Sequence, residues 1–154
     1  MGCRIHRFQD GTPAVGSVNP RSILTAHCNT VEETYEFMLA YAAQGLSGDA
    51  ESHSGGQLRE FLNRAVVALA ELPDVLKTII HDENLQPAEN YHAFLAVMER
   101  DARDALAAMQ IVTSQPSISS QLIDNLNASI HLRALLTDLF LIDEIVKTLP
   151  TQPE

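Results

Sequence analysis

The stretch QLREFLNRAVVALAELPDVLKTII, residues 57–80, decides the fold. Leu58, Leu62, Ala65, Leu69, Leu72, Leu76 and Ile79 recur in it at alternating steps of four and three. That spacing puts them on one stripe of an α-helix and gives a seam that packs against other helices. Pro73 falls inside the seam and removes one backbone hydrogen bond, yet the phase of the apolar residues is the same on both sides of it. The spacing therefore predicts one helix from near Gln57 to Asp82, continuing through the proline.

The same rhythm returns twice downstream. Tyr91, Leu95, Met98, Ala102, Ala105, Met109 and Val112 repeat it, after Gln86-Pro87 and with Glu89 near the positive end of the helix. Ser114-Gln115-Pro116-Ser117 marks a break. Ala128, Leu132, Leu135, Leu139, Ile142, Val146 and Leu149 repeat it again, in a helix expected from about Ser119 to Leu149. Upstream, Thr30-Val31-Glu32-Glu33 reads as a capping box, in which a hydroxyl and a carboxylate satisfy free amides at a helix start. A first helix is expected from Thr30, with Tyr35, Met38, Leu39, Ala42 and Leu46 inward and Gly45 and Gly48 closing it. Asn19-Pro20 is expected to open only a short turn through Leu24. Residues 47–56 lack periodicity and read as a flexible loop. No run alternates with period two for long enough to form a strand. The fold class is all-α: four main antiparallel helices in a bundle over residues 20–150, an irregular basic arm over 1–19 and a short tail over 151–154.

Length and charge narrow the partners. At 154 residues the chain suits one compact domain. Ten basic against twenty acidic side chains give a formal charge of −10, which repels phosphate backbones and argues against nucleic acid or an anionic membrane as partner. The two cysteines, Cys3 and Cys28, are too few for a disulfide framework, and the first thirty residues hold no apolar signal core, so a reducing cytoplasm is expected. Asn127-Ala128-Ser129 has the form of a glycosylation triplet but lies inside a helical pattern.

Chemistry-bearing patterns are sparse. The six histidines stand singly, a lone Glu89-Asn90-Tyr91-His92 has no second copy, and no phosphate loop or nucleophile elbow is present. The fourth helix carries Leu136, Phe140, Leu141 and Ile145 outside its seam, so it is greasy on most sides and must be covered on most sides. These four residues are candidate contacts of a subunit interface. Protein–protein contact, as a homodimer or with another protein in the manner of an inhibitor, accessory subunit or adaptor, is the function expected, with no cofactor and no assigned catalytic residue.

Val31-Glu32-Glu33-Thr34-Tyr35-Glu36, followed by Leu58-Arg59-Glu60-Phe61-Leu62-Asn63, resembles the two metal-binding motifs of the all-α nucleotide pyrophosphohydrolases, the MazG-like family. The resemblance covers about residues 30–74. It implies Mg²⁺ held by Glu33, Glu36 and Glu60, with Asn63 where the family has Asp, and hydrolysis of a nucleoside triphosphate to a monophosphate and pyrophosphate. Asn63 is neutral and a poorer magnesium ligand, and Leu62 stands where the family usually has Gly.

Overall fold

The computed structural model describes residues 18–151, and all of their regular structure is helical. The helices are α1 (Pro20–Ala43), α2 (His53–Asp82), α3 (Ala88–Thr113), α4 (Ser120–Ala128) and α5 (Ile130–Thr148), with a short 3₁₀ turn at Asp49–Glu51. The basic arm expected over 1–19 lies outside the described residues except for Val18 and Asn19. Within the described residues, no helix is long and apolar enough to cross a membrane.

The seams are where the periodicity puts them. All seven α2 seam residues are buried, and Pro73 sits inside an uninterrupted helix. Leu95, Met98, Ala102, Ala105, Met109 and Val112 on α3, and Leu132, Leu135, Leu139, Ile142 and Val146 on α5, join them in one core. Helix α1 packs on α2, α4 and α5, α2 also on α3, and α3 on α5. Side-chain pairs set the directions: His27 meets Glu71 at 2.8 Å, and the Phe37 and Phe61 rings stack with centroids 4.6 Å apart, so α1 and α2 run antiparallel.

Three elements differ from the sequence reading, each for a local reason. Helix α1 begins ten residues before the expected cap. The Asn19 side chain accepts from the Arg21 amide, Pro20 occupies the first turn, and Leu24, Cys28 and Val31 carry the apolar stripe backwards. Thr30 is thus mid-helix, and its hydroxyl donates to the Ala26 carbonyl rather than capping anything. Leu39, expected inward, is exposed. The expected fourth helix is two helices. Ser129 stands between them in extended backbone and its hydroxyl accepts from the His131 amide, capping α5. Ala128 is consequently exposed, and Asn127 is buried within α4, so the glycosylation triplet is closed to modification.

The segment read as a flexible loop, 47–56, is the third difference. It is tied down by polar contacts. The Ser120 hydroxyl donates to the Tyr41 carbonyl and accepts from the Leu46 amide, while the Tyr41 hydroxyl donates to the Ile118 carbonyl. One Asp49 carboxylate oxygen accepts from the Ile118 amide and the other from Arg59. The rest of the Arg59 guanidinium donates to the carbonyls of Thr113, Gln115 and Pro116, which follow the end of α3. A Cβ at Gly55 would lie 1.6 Å from the Asp49 carbonyl oxygen, so only glycine lets the turn fold against the start of α2.

A second arginine does the same at the opposite end. Arg21 donates to both Glu83 oxygens and to the carbonyls of Val146, Leu149 and Pro150 where α5 finishes. There α2 closes with Asn84 in the left-handed region (φ 48°) and the Leu85 amide bonded back to Ile80.

Hydrogen bonding from Arg59 holds the Asp49 carboxyl down at about 2. A carboxyl that ionises more readily in the folded chain adds stability above the unfolded value, near 4, and loses it as pH falls toward 2. Asp49→Asn is expected to cost about 1–3 kcal/mol at pH 7, because it leaves Arg59 without its charge partner. Urea melts should show the gap to the parent chain closing as pH drops from about 4 toward 2.

Candidate functional site: the outer face of α5 and its border with α3

Helix α5 exposes an unusual number of large apolar side chains. Of the eight large apolar side chains exposed among the described residues, four lie on it: Ile130 (74%), Phe140 (54%), Leu141 (51%) and Ile145 (39%). Ile130, Ala134, Thr137, Leu141 and Ile145 are spaced by four, three, four and four, which makes one stripe along the helix, with Phe140 at its margin. Leu136 is buried within the chain's own core, on the side shared with Leu132 and Leu139. Of the four expected interface residues, Phe140, Leu141 and Ile145 therefore face solvent and Leu136 does not. Where α5 borders the start of α3, Pro87, Asn90, Tyr91, Phe94, Ile142 and Ile145 line an open pocket of about 290 Å³.

A carboxyl pair interrupts this border. Asp138 follows Ala134 by four residues and precedes Leu141 by three, so it belongs to the edge of the apolar stripe, and it is only 7% exposed. Its Oδ2 is buried without a hydrogen-bond partner. The charged group acting on it is Asp101 of α3. Burial first, then the hydrogen bond to Asp101 and its negative charge, push the Asp138 carboxyl up to about 7. Two carboxylates cannot donate to each other, so the arrangement is satisfied when one proton sits between them. Sequence reading missed this pair. The available signal was an aspartate inside the greasy run from Leu135 to Ile142.

The other sequence candidates are placed differently. Glu33, Glu36, Glu60 and Asn63 are all exposed on α1 and α2. Among the described residues, no group of three or more His, Cys, Asp or Glu is placed to hold a metal ion, so the three glutamates are not brought together as the ligand set that Mg²⁺ needs. Hydrogen-bond and ring contacts join those helices. The Thr34 hydroxyl donates to the Phe61 carbonyl, Phe37 stacks on Phe61, and the Arg64 guanidinium lies 4.6 Å from the Phe61 ring centre. Cys28 is buried, and burial, reinforced by the charges of Asp143 and Glu32, pushes its thiol up to about 12, so it is no nucleophile at neutral pH.

No protein-family model, curated protein or solved structure matches this chain.

A carboxyl that holds its proton more tightly in the folded chain makes stability fall as pH rises from about 4 to about 7. Asp138→Asn removes that slope. The variant is expected to match the parent near pH 4 and to exceed it at pH 8 by on the order of 1–3 kcal/mol, read from denaturant melts at the two pH values.

Proposed function

We propose that the protein works by protein–protein contact, as a homo-oligomer in the reducing cytoplasm, assembled through the outer face of α5. The observation that carries this reading is the concentration of half the exposed large apolar side chains on one helix of nineteen residues. Apolar stripes of this kind mark interaction sites. In this reading α4 and α5 jointly fill the fourth position of an antiparallel four-helix bundle, and the outer side of α5 is left for assembly.

The charge pattern favours a second copy of the same helix as the occupant. Exposed Arg133 lies in the N-terminal half of α5 and exposed Glu144 in the C-terminal half, eleven residues on and along the same edge of the stripe. Two α5 helices related by a two-fold axis and running antiparallel bring Arg133 of each beside Glu144 of the other, with the axis crossing the helix between residues 138 and 139. The competing reading, Mg²⁺-dependent hydrolysis of a nucleoside triphosphate at Glu33, Glu36, Glu60 and Asn63, rests on the sequence resemblance alone; among the described residues no three His, Cys, Asp or Glu form a metal-binding group.

Sedimentation equilibrium of the full chain at micromolar concentration is expected to show a dimer at pH 6. Leu141→Glu or Ile145→Glu should convert it to a folded monomer with unchanged helical content and a melting temperature independent of concentration, since both side chains are exposed in the single chain. A strict monomer for the parent chain would overturn the assignment.

A further inference from the structure

We propose that this assembly is proton-linked: closing the α5 face holds a proton between Asp101 and Asp138, so that copies associate as pH falls and separate as it rises. The inference rests on self-association through α5 and names its regulation.

Geometry is the first support. Asp138 stands between Ala134 and Leu141 at the edge of the stripe that a second copy would cover, and its buried Oδ2 has no partner. Asp101, which faces it from α3, is only partly buried and supplies the pair's remaining contact with water. Asp104, one turn further along α3, is exposed and also acidic. No ion pair reaches Asp101 or Asp138 among the described residues, and no charged group of α1 or α4 acts on Asp138. On α5 itself, the residues one turn away are Ala134, Leu135, Leu141 and Ile142, none of them charged. Among the described residues, then, a shared proton is what relieves the repulsion within the pair.

Linkage supplies the second step. Covering the stripe with Leu141 and Ile145 of another copy removes water from the side of the pair that still has it. Removing water disfavours the doubly ionised state further and favours the singly protonated one. Association then takes up protons wherever the free chain has partly lost them. By reciprocity, raising the pH must weaken association by the same factor. With the proton present the pair carries one negative charge, shared through a hydrogen bond between the two carboxyls. With the proton gone it carries two that repel each other, and the second opposes any apolar cover.

The test is sedimentation equilibrium of the full chain at pH 5.5, 6.5, 7.5 and 8.5 and constant ionic strength, with Asp138→Asn and, on the more exposed partner, Asp101→Asn. The dimer dissociation constant of the parent is expected to rise by about ten- to a hundredfold per pH unit between the free and the covered titration of Asp138, because a two-fold dimer covers two such pairs and links up to two protons. Asp138→Asn should dimerise with little pH dependence, and Asp101→Asn with a weaker dependence than the parent, because burial of Asp138 remains in it. A parent dimer whose dissociation constant is unchanged from pH 5.5 to 8.5 would overturn the proton linkage and leave α5 assembly standing. Variants that keep the parent slope would also overturn it, by placing the titration on a group outside the pair. A parent that is monomeric at every pH, including 5.5, would remove the assembly itself and the linkage with it.

Discussion

Helix ends leave carbonyls that need donors, and two arginines meet that need at opposite ends of this molecule. Arg59 serves the carbonyls that follow α3, and Arg21 serves those that close α5. Each is held in place by a carboxylate from another part of the chain, Asp49 or Glu83. A planar guanidinium is suited to this because it can grip a carboxylate with one edge and spread its other donors over several carbonyls. The arrangement also places positive charge at the negative end of a helix dipole. Without these two clasps the seams would still be apolar, but little would set how far α3 and α5 slide along their neighbours. The meeting of Asp101 with Asp138 depends on that setting.

Seams were legible in the sequence because they depend on spacing alone. All seven seam residues of α2 could be named from residues 57–80, and a proline in their midst did not shift the phase. Helix ends were harder, because several residues compete for each one. Thr30 with Glu33 has the form of a cap. Asn19 with Pro20 is a better one, and nothing between them breaks the helix. Ser129 went unnoticed for the opposite reason. A serine inside an apolar repeat looks like an ordinary helical residue until the burial of Leu126 and Leu132 on either side is known. The loop before α2 appeared free because its anchors, Ile118 and Ser120, lie some seventy residues away in sequence. Residue type could suggest the candidate contacts on α5 but not which of them turn inward. Leu136 and Phe140 are equally apolar on paper and are separated only by the angle at which α5 is seated.

Buried polar groups cost stability, and this core holds a few. Thr34 and Ser120 are fully occupied by backbone partners and act as fasteners between elements. Asn127 and Asp138 are not, and each has side-chain atoms buried without a partner. Replacing such groups by aliphatic ones of similar size is usually neutral or stabilising, so their presence makes the helices that carry them less tightly held than α2. Both lie in the α4–α5 half of the molecule, which is also where the apolar surface is exposed.

Cys28 provides a gauge of that uneven hold. Its sulfur is enclosed by α1 and its neighbours, and burial keeps the thiol protonated across the ordinary pH range. A thiol reagent can reach it only after α1 has moved away from the helices it covers. The rate at which Cys28 is alkylated therefore reports how often the native state opens there, with no residue changed.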